Sequence, residues 1–247
     1  RDPGAQQTPQ RAQQASLAGI APPRRVSPVA AGWVGRFPAT SGGTQQRTGV
    51  PITTKTPSGQ ESAPSPSAFA AFGLGPDLMA GIDAAGYDEP RPIQIGTIPS
   101  VLKGRDVLGL AQTGTGKTAA FALPIIQRLQ GRNRGGRVGL PRALILAPTR
   151  ELALQIHAQI EVLGRFTKVS STTVFGGVGA PAQVRALRKG PDIIVACPGR
   201  LLDLMGSGDV RVDGIEVLVL DEADHMLDMG FLPDIRRILA RLPERRQ

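Results

Sequence analysis

A glycine-rich stretch near the middle of the chain constrains the fold more than any other feature of the sequence. It runs Ala111-Gln112-Thr113-Gly114-Thr115-Gly116-Lys117-Thr118. An apolar run at 107–110 precedes it and a helical pattern at 118–130 follows it, which is the strand–turn–helix context that a phosphate-binding loop needs. Glycines let successive backbone N–H groups point at an anion near the positive end of a helix. The stretch therefore predicts a nucleotide-binding loop, here called the P-loop.

Residues of the P-loop have separate predicted roles. Lys117 can reach the β- and γ-phosphates of a nucleotide, and the Thr118 hydroxyl can ligate Mg²⁺. An accidental glycine–threonine loop is the alternative, and the flanking strand and helix patterns disfavour it. The remaining candidates for nucleotide binding in the P-loop are Gln112, Thr113, Gly114, Thr115 and Gly116.

The chain divides into two parts by composition. Residues 1–67 contain ten proline and eight glycine residues and only eight leucine, isoleucine, valine or phenylalanine residues. A segment with so few large apolar side chains cannot offset the entropy of ordering its backbone. We therefore expect a disordered basic tail at 1–67 and a single folded domain at 68–247, which is long enough to build a substantial core.

Charge and cysteine content limit the classes of protein. The formal net charge is +9, which favours nucleic acid as a partner and an anionic membrane second, although a modest excess can also be only a solubilising surface. Cys197 is the single cysteine, so an internal disulfide is excluded. No apolar run approaches the length of a membrane span and the start shows no signal-peptide pattern, so we expect a cytoplasmic location.

From residue 68 onward, strand-like and helix-like patterns alternate. Apolar strands are predicted at 107–110, 143–147, 171–175, 193–196 and 217–220, and helices at 74–86, 118–130, 150–163, 180–188 and 199–205. Continuously apolar strands separated by helices predict an α/β domain, whose parallel sheet is covered by helices on both faces. Ligands of such sheets bind at the carboxyl ends of the strands.

An acidic cluster follows the last of these predicted strands. Asp221 and Glu222 come directly after the apolar run 217–220, at the sheet edge where the P-loop also emerges. The first acid suits Mg²⁺, directly or through water, and the second can orient and deprotonate an attacking water. A solvated acidic turn is the alternative, and the P-loop upstream makes it less favoured. The predicted catalytic residues are thus Lys117, Asp221 and Glu222.

The run Asp221-Glu222-Ala223-Asp224 resembles the signature of the DEAD-box ATP-dependent RNA helicases, and 69–247 resembles their first RecA-like domain. Residues 86–94 resemble the Q motif of that family, with Arg91 where threonine is usual. The resemblance implies that Gln94 bonds the adenine edge, that Phe69 stacks on the adenine face, and that Tyr87 belongs to the ATP site. An amide suits adenine because it offers donor and acceptor together. For Phe69, core packing is an equally weighted alternative.

Three further stretches resemble the family's RNA-contact motifs, and the resemblance implies that they hold the sugar-phosphate backbone without reading bases. Each lies at a predicted strand end or helix start. Turn-plus-cap structure is the alternative for each stretch taken alone. The candidate RNA-binding residues are Pro148, Thr149, Arg150, Gly176, Gly177, Pro198, Gly199 and Arg200.

The resemblance also implies what this sequence lacks. The chain stops before the family's Ser-Ala-Thr motif, and the second RecA-like domain with its arginine fingers is not in the sequence, so we expect ATP hydrolysis by this fragment to be poor. The segments 174–178 and 227–231 resemble the RhlE-like bacterial subgroup. Two rival functions stay open, a DNA-directed P-loop translocase and a non-catalytic RNA-binding fragment. Oligomeric state is not indicated.

Overall fold

The computed structural model describes residues 68–112, 114–130 and 139–247 together with the backbone of 27–29. The strands are β1 (Ser27–Val29), β2 (Val107–Gly109), β3 (Ala143–Leu146), β4 (Ser171–Val174), β5 (Ile193–Ala196) and β6 (Val217–Leu220). A 3-10 helix spans Ala68–Phe72. The α-helices are α1 (Pro76–Ala84), α2 (Pro92–Leu102), α3 (Lys117–Leu129), α4 (Arg150–Leu163), α5 (Ala180–Arg188), α6 (Pro198–Gly206), α7 (Ala223–Asp228) and α8 (Leu232–Leu239).

Four strands form a parallel sheet in the order β4-β5-β3-β6. Successive residues of β3 face opposite layers, as the pleat requires. Ala143 and Ile145 pack into one core with residues of α1, α3 and α4, whereas Leu144 and Leu146 pack into a second core with residues of α6 and α8. The prediction of a parallel sheet with helices on both faces is confirmed for these four strands.

Strand β2, which leads into the P-loop, lies outside this sheet. Among the described strands it pairs only with β1, in parallel. Helix α2 packs against β2, but Leu108 is 56% exposed and Leu110 is 72% exposed. The sequence pattern predicted β2 as a buried member of a single sheet. The predicted burial and sheet membership of β2 are wrong. An apolar run indicates that a strand forms, but it does not indicate which other strand will pair with it.

The predicted tail at 1–67 is described only at β1. There, the backbone of three residues, Ser27–Val29, forms a strand on β2. An unpaired strand edge presents N–H and C=O groups that any extended segment can satisfy, whatever its side chains. The rest of the predicted tail lies outside the described residues.

The predicted helices are present, two of them with the predicted bounds and three with ends shifted by one or two residues, and three further helices were not predicted. Helix α2 begins at Pro92, as proline at a first helical position favours, but Pro99 inside it obscures the helical pattern. Helices α7 and α8 are short and follow the acidic cluster directly. In the described part of the chain, no helix is long and apolar enough to cross a membrane.

Candidate nucleotide-binding site and nucleic-acid interface

The P-loop connects β2 to α3 through two glycines in the left-handed region. Gly114 has φ 82° and Gly116 has φ 91°, values that side chains with a Cβ rarely adopt. Gly116 is the N-cap of α3, so Lys117 and Thr118 are the first residues of that helix, where backbone N–H groups are unpaired. The Thr115 hydroxyl donates to the Gln112 carbonyl at 2.7 Å and closes the turn. Thr113 lies outside the described residues.

The acidic cluster begins where β6 ends. The Asp221 N–H donates to the Leu146 carbonyl at 3.0 Å, which holds the carboxylate at the edge of the four-stranded sheet. Asp221 is only 7% exposed, and this burial raises the pKa of its carboxyl group, while Lys117 opposes the shift and Glu222 adds to it.

Glu222 has φ 51°, the one positive value at a non-glycine residue in the described part of the chain. Its backbone N–H donates to Asp221 Oδ1 at 3.1 Å, and its carboxylate lies 3.5 Å from His225 Nδ1. A left-handed conformation costs a residue with a Cβ about 1–3 kcal/mol, and such strain concentrates at functional sites.

The P-loop and the acidic cluster line one cavity of about 610 Å³. Lys117, Thr118, Asp221 and Glu222 therefore share a space, although about a hundred residues separate the two pairs along the chain. Mg²⁺ in proteins takes one or two protein oxygen ligands, with phosphates and waters as the others, which the Thr118 hydroxyl and the Asp221 carboxylate fit. The residues lining the cavity are Gly86, Tyr87, Asp88, Glu89, Arg91, Gly114, Gly116, Lys117, Thr118, Leu152, Gln155, Gln159, Asp221 and Glu222.

Both residues predicted for the adenine, Gln94 and Phe69, lie behind the cavity wall. Gln94 is fully buried, and its amide is used internally: Oε1 accepts from the Arg91 N–H at 2.8 Å, and Nε2 donates to the Gly116 carbonyl at 3.2 Å. Phe69 is fully buried, with its ring 6.1 Å from that of Tyr87 in an edge-on contact. Tyr87 lines the cavity and accepts a hydrogen bond from Gln159.

The candidate RNA-binding residues follow three adjacent strands, β3, β4 and β5, at the same edge of the sheet. After β3, the Thr149 hydroxyl caps the start of α4, because it accepts a hydrogen bond from the Leu152 N–H at 3.3 Å. The Arg150 guanidinium lies 5.0 Å from the centre of the Phe175 ring at the end of β4. Arg200, after β5, donates to the Val178 carbonyl at 3.1 Å.

These contacts join the three turns into one surface. Gly176 and Gly177 are exposed between Phe175 and Val178, whereas Pro148 and Pro198 are buried at the bases of their helices, and Gly199 is half-buried. The exposed backbone of the glycine turn and the two guanidinium groups are suited to sugar-phosphate oxygens.

A profile of the DEAD/DEAH box helicase family matches residues 91–247, which is more than half of the chain. The chain belongs to this family. A DEAD-box ATP-dependent RNA helicase CshA of Geobacillus kaustophilus is 43% identical over 179 residues, which are 72% of this chain and 37% of the relative. One of Streptococcus pneumoniae is 47% identical over 179 residues, 72% of this chain and 33% of the relative. The chain thus spans about a third of the length of these relatives.

Solved structures give the same result for the fold of this DEAD-box domain. A DEAD box protein from Methanococcus jannaschii has a TM-score of 0.67 and 34% identity, covering 73% of this chain and 48% of that one. A hypothetical ATP-dependent RNA helicase from Sulfolobus tokodaii has a TM-score of 0.63 and 37% identity, covering 70% and 48%. The predicted RecA-like architecture and the predicted DEAD-box family are confirmed.

Several cavity residues of this DEAD-box domain were not predicted. Leu152, Gln155 and Gln159 line the cavity from one face of α4. Their spacing of three and four residues is the available signal, because it places side chains on one side of a helix. Asp88, Glu89 and Arg91 also line the cavity, and they lie inside the stretch that resembles the Q motif.

Proposed function

We propose that this domain binds ATP with Mg²⁺ and serves ATP-dependent remodelling of RNA duplexes. The observation that carries the proposal is the single cavity shared by the P-loop and the acidic cluster, which come from strands far apart in sequence. A lysine, a hydroxyl and two carboxylates facing one space are the groups that phosphoryl transfer from a nucleotide to water requires.

Each of these groups has a chemical role in the proposal. The Lys117 ammonium and the N–H groups that begin α3 hold the phosphate oxygens. Thr118 and Asp221 hold Mg²⁺, which when bound neutralises charge that develops on the phosphates. The Glu222 carboxylate orients a water and accepts its proton. On the base side, Phe69 and Gln94 stay our candidates for adenine and Tyr87 stays a candidate for the ATP site, with Gln94 linking the base to the P-loop through the Gly116 carbonyl.

RNA is the proposed partner of the turns that follow β3, β4 and β5. The surface formed by Thr149, Arg150, the glycine turn and Arg200 offers donors for phosphates and riboses and no array of side chains suited to base edges. Binding should therefore be insensitive to base sequence and weaken with salt. We propose that this domain opens RNA duplexes together with a second RecA-like domain. The family resemblance implies that second domain.

Finer assignments belong to the same proposal. The segments around Gly176 and Met229 support membership of the RhlE-like subgroup, although the relatives described above are named CshA. We propose a cytoplasmic location, a low-complexity basic tail at 1–67 that precedes the domain at 68–247, and poor ATP turnover by 68–247 alone.

The ATP arm of the proposal is tested by Lys117→Ala. Wild-type protein should show a rise in melting temperature with Mg-ATP, because a ligand at a hundred times its Kd adds about 2.7 kcal/mol to the free energy of unfolding. Lys117→Ala should abolish the rise, whereas Lys189→Ala, an exposed lysine at the end of α5, should retain it. No stabilisation of the wild-type protein by Mg-ATP would contradict the proposal.

The RNA arm is tested by Arg150→Ala, with the exposed Arg188→Ala of α5 as its control. Fluorescence anisotropy with a single-stranded RNA should show weaker binding by Arg150→Ala and a salt slope smaller by about one phosphate contact. A matched single-stranded DNA should bind wild-type protein more weakly, because it lacks the 2′-hydroxyl. Equal binding of RNA and DNA would favour the DNA-directed translocase instead.

A further inference from the structure

Arg91 connects the start of α2 to the P-loop. Its guanidinium Nη1 donates to the Gly114 carbonyl. A Cβ added at Gly116 would lie 3.1 Å from Arg91 Cδ, so the arginine stem crosses the loop closely. The resemblance to the Q motif implies threonine at this position, and a threonine side chain is too short to reach the Gly114 carbonyl as the guanidinium does. The arginine therefore adds a contact to the P-loop that the usual residue does not make.

The charge balance of the cavity makes this arginine more than a brace for the loop. In the part of the chain that the structure describes, the cavity is lined by four acids, which are Asp88, Glu89, Asp221 and Glu222. Only Lys117 and Arg91 among the lining residues are cationic. Without Arg91, a polyanion would meet four carboxylates and a single lysine.

The guanidinium also has donors to spare. Arginine carries five N–H donors in a planar fork, and among the residues that the structure describes the Arg91 guanidinium bonds only the Gly114 carbonyl, through Nη1. The same side chain can therefore keep the loop in its shape and donate to a phosphate oxygen. Arginine suits phosphate because its planar fork matches the oxygens in pairs.

We propose that Arg91 is a second cationic residue of the nucleotide site, which binds the polyphosphate and fixes the P-loop through the Gly114 carbonyl. It determines affinity for the phosphate chain and not for the base. The inference rests on the proposed ATP binding and assigns a residue that the P-loop and acidic motifs leave out.

The test compares Arg91→Ala and Arg91→Lys with Arg105→Ala. Arg105 is a matched control because its guanidinium bonds Ser100 near the far end of α2 and does not line the cavity. The backbone N–H of residue 91, which bonds Gln94, is kept in every variant. Binding of Mg-ATP and Mg-ADP is measured by calorimetry, and binding of adenosine at millimolar concentration by ligand-observed NMR.

Arg91→Ala should weaken Mg-ATP and Mg-ADP by about tenfold or more, as expected for loss of a hydrogen bond to a charged group, and should leave adenosine unchanged. Arg91→Lys should fall between, because it keeps the charge and loses the fork. Unchanged ATP binding by Arg91→Ala, or an equal loss for adenosine and ATP, would overturn the inference.

The outcomes separate this inference from the proposed function. If wild-type protein binds Mg-ATP, Lys117→Ala does not, and Arg91→Ala is normal, the proposed function stands and the role of Arg91 falls. If wild-type protein binds no Mg-ATP, both fall. Should Arg91→Ala not fold, which circular dichroism will show, Arg91→Lys decides: several-fold weaker ATP binding with unchanged adenosine supports the inference, and normal ATP binding overturns it.

Discussion

The two strands that deliver the nucleotide-binding groups differ in their surroundings. Strand β6 carries Asp221 and is hydrogen-bonded to β3 in the four-stranded sheet. Strand β2 carries the P-loop and is paired only with β1 among the described strands, with Leu108 more than half exposed. Both read as short apolar runs in the sequence. The cavity therefore lies between one wall that belongs to the four-stranded sheet and another that is held by strand β1 and helix α2.

The difference raises the question of what holds the P-loop, because its strand β2 is not part of the four-stranded sheet. Helix α2 packs against β2 and also along α3, and Gln94 of α2 donates to the Gly116 carbonyl. Its buried amide makes this link costly to break, since an unsatisfied buried polar group costs about 1–3 kcal/mol. The P-loop is thus positioned by α2 as much as by its own strand.

The largest effect that would test this comparison is on stability. Ile145 is fully buried in β3, so Ile145→Ala should lower the free energy of unfolding by about 2–5 kcal/mol. Leu108→Ala in β2 should change it by about 0.5 kcal/mol or less, because most of that side chain already contacts water. Urea denaturation measures the free energy of unfolding of both variants, and the comparison holds if the m-value is the same as in the wild-type protein. Equal losses would mean that β2 is buried in solution as β3 is.

Among the described residues, the sequence predicted all four strands of the parallel sheet and five of the eight α-helices, but not which strands pair. Periodicity located the strand at Ile193–Ala196 and the helix at Arg150–Leu163, because buried elements have a regular apolar pattern. The position of β2 outside the four-stranded sheet could not be predicted, since strand pairing depends on residues distant in sequence. Nor could the contact of Arg91 with Gly114, which depends on how α2 lies against the P-loop.

The candidate site shows the same limit. The sequence motifs predicted that Lys117 and Asp221 belong to one site, and the two residues line one cavity. The resemblance assigned Gln94 to adenine and left Phe69 between adenine stacking and core packing, but no pattern in the sequence shows that both side chains are fully buried beside that cavity. A residue's depth depends on the packing of all its neighbours, which one motif does not encode.

A smaller effect concerns the charge of Asp221, at the end of β6. Burial raises the pKa of the Asp221 carboxyl, so the folded state keeps this proton to a higher pH than the unfolded state does. Stability must then fall as the pH rises from the ordinary aspartate value of 3.8 through the raised one. At pH 7 the ionised carboxylate is a cost that Asp221→Asn removes, while Asn Oδ1 can still accept the Glu222 N–H.

We therefore expect Asp221→Asn to raise the melting temperature at pH 7, at roughly 2–4 °C per kcal/mol for a domain of this size. The gain should shrink as the pH approaches 4. Differential scanning calorimetry across that range measures it, with the exposed Asp83→Asn of α1 as the control. A lower melting temperature for Asp221→Asn at pH 7 would mean that attraction to Lys117 outweighs the cost of burial.

The smallest effect tests whether the turns after β3 and β5 lie side by side on the proposed RNA surface. Two causes raise the pKa of the Cys197 thiol to about 11: burial, which is the larger, and the negative charge of Glu151. At pH 8, alkylation by iodoacetamide should be about a hundredfold slower than for a thiol at the ordinary 9.0, because the thiolate reacts. Glu151→Gln removes the smaller cause, lowers the pKa and should speed alkylation a few-fold. Mass spectrometry follows this single cysteine, with Glu161→Gln at the other end of α4 as the control. An unchanged rate in Glu151→Gln would separate the two turns and weaken the case for one continuous RNA-binding edge.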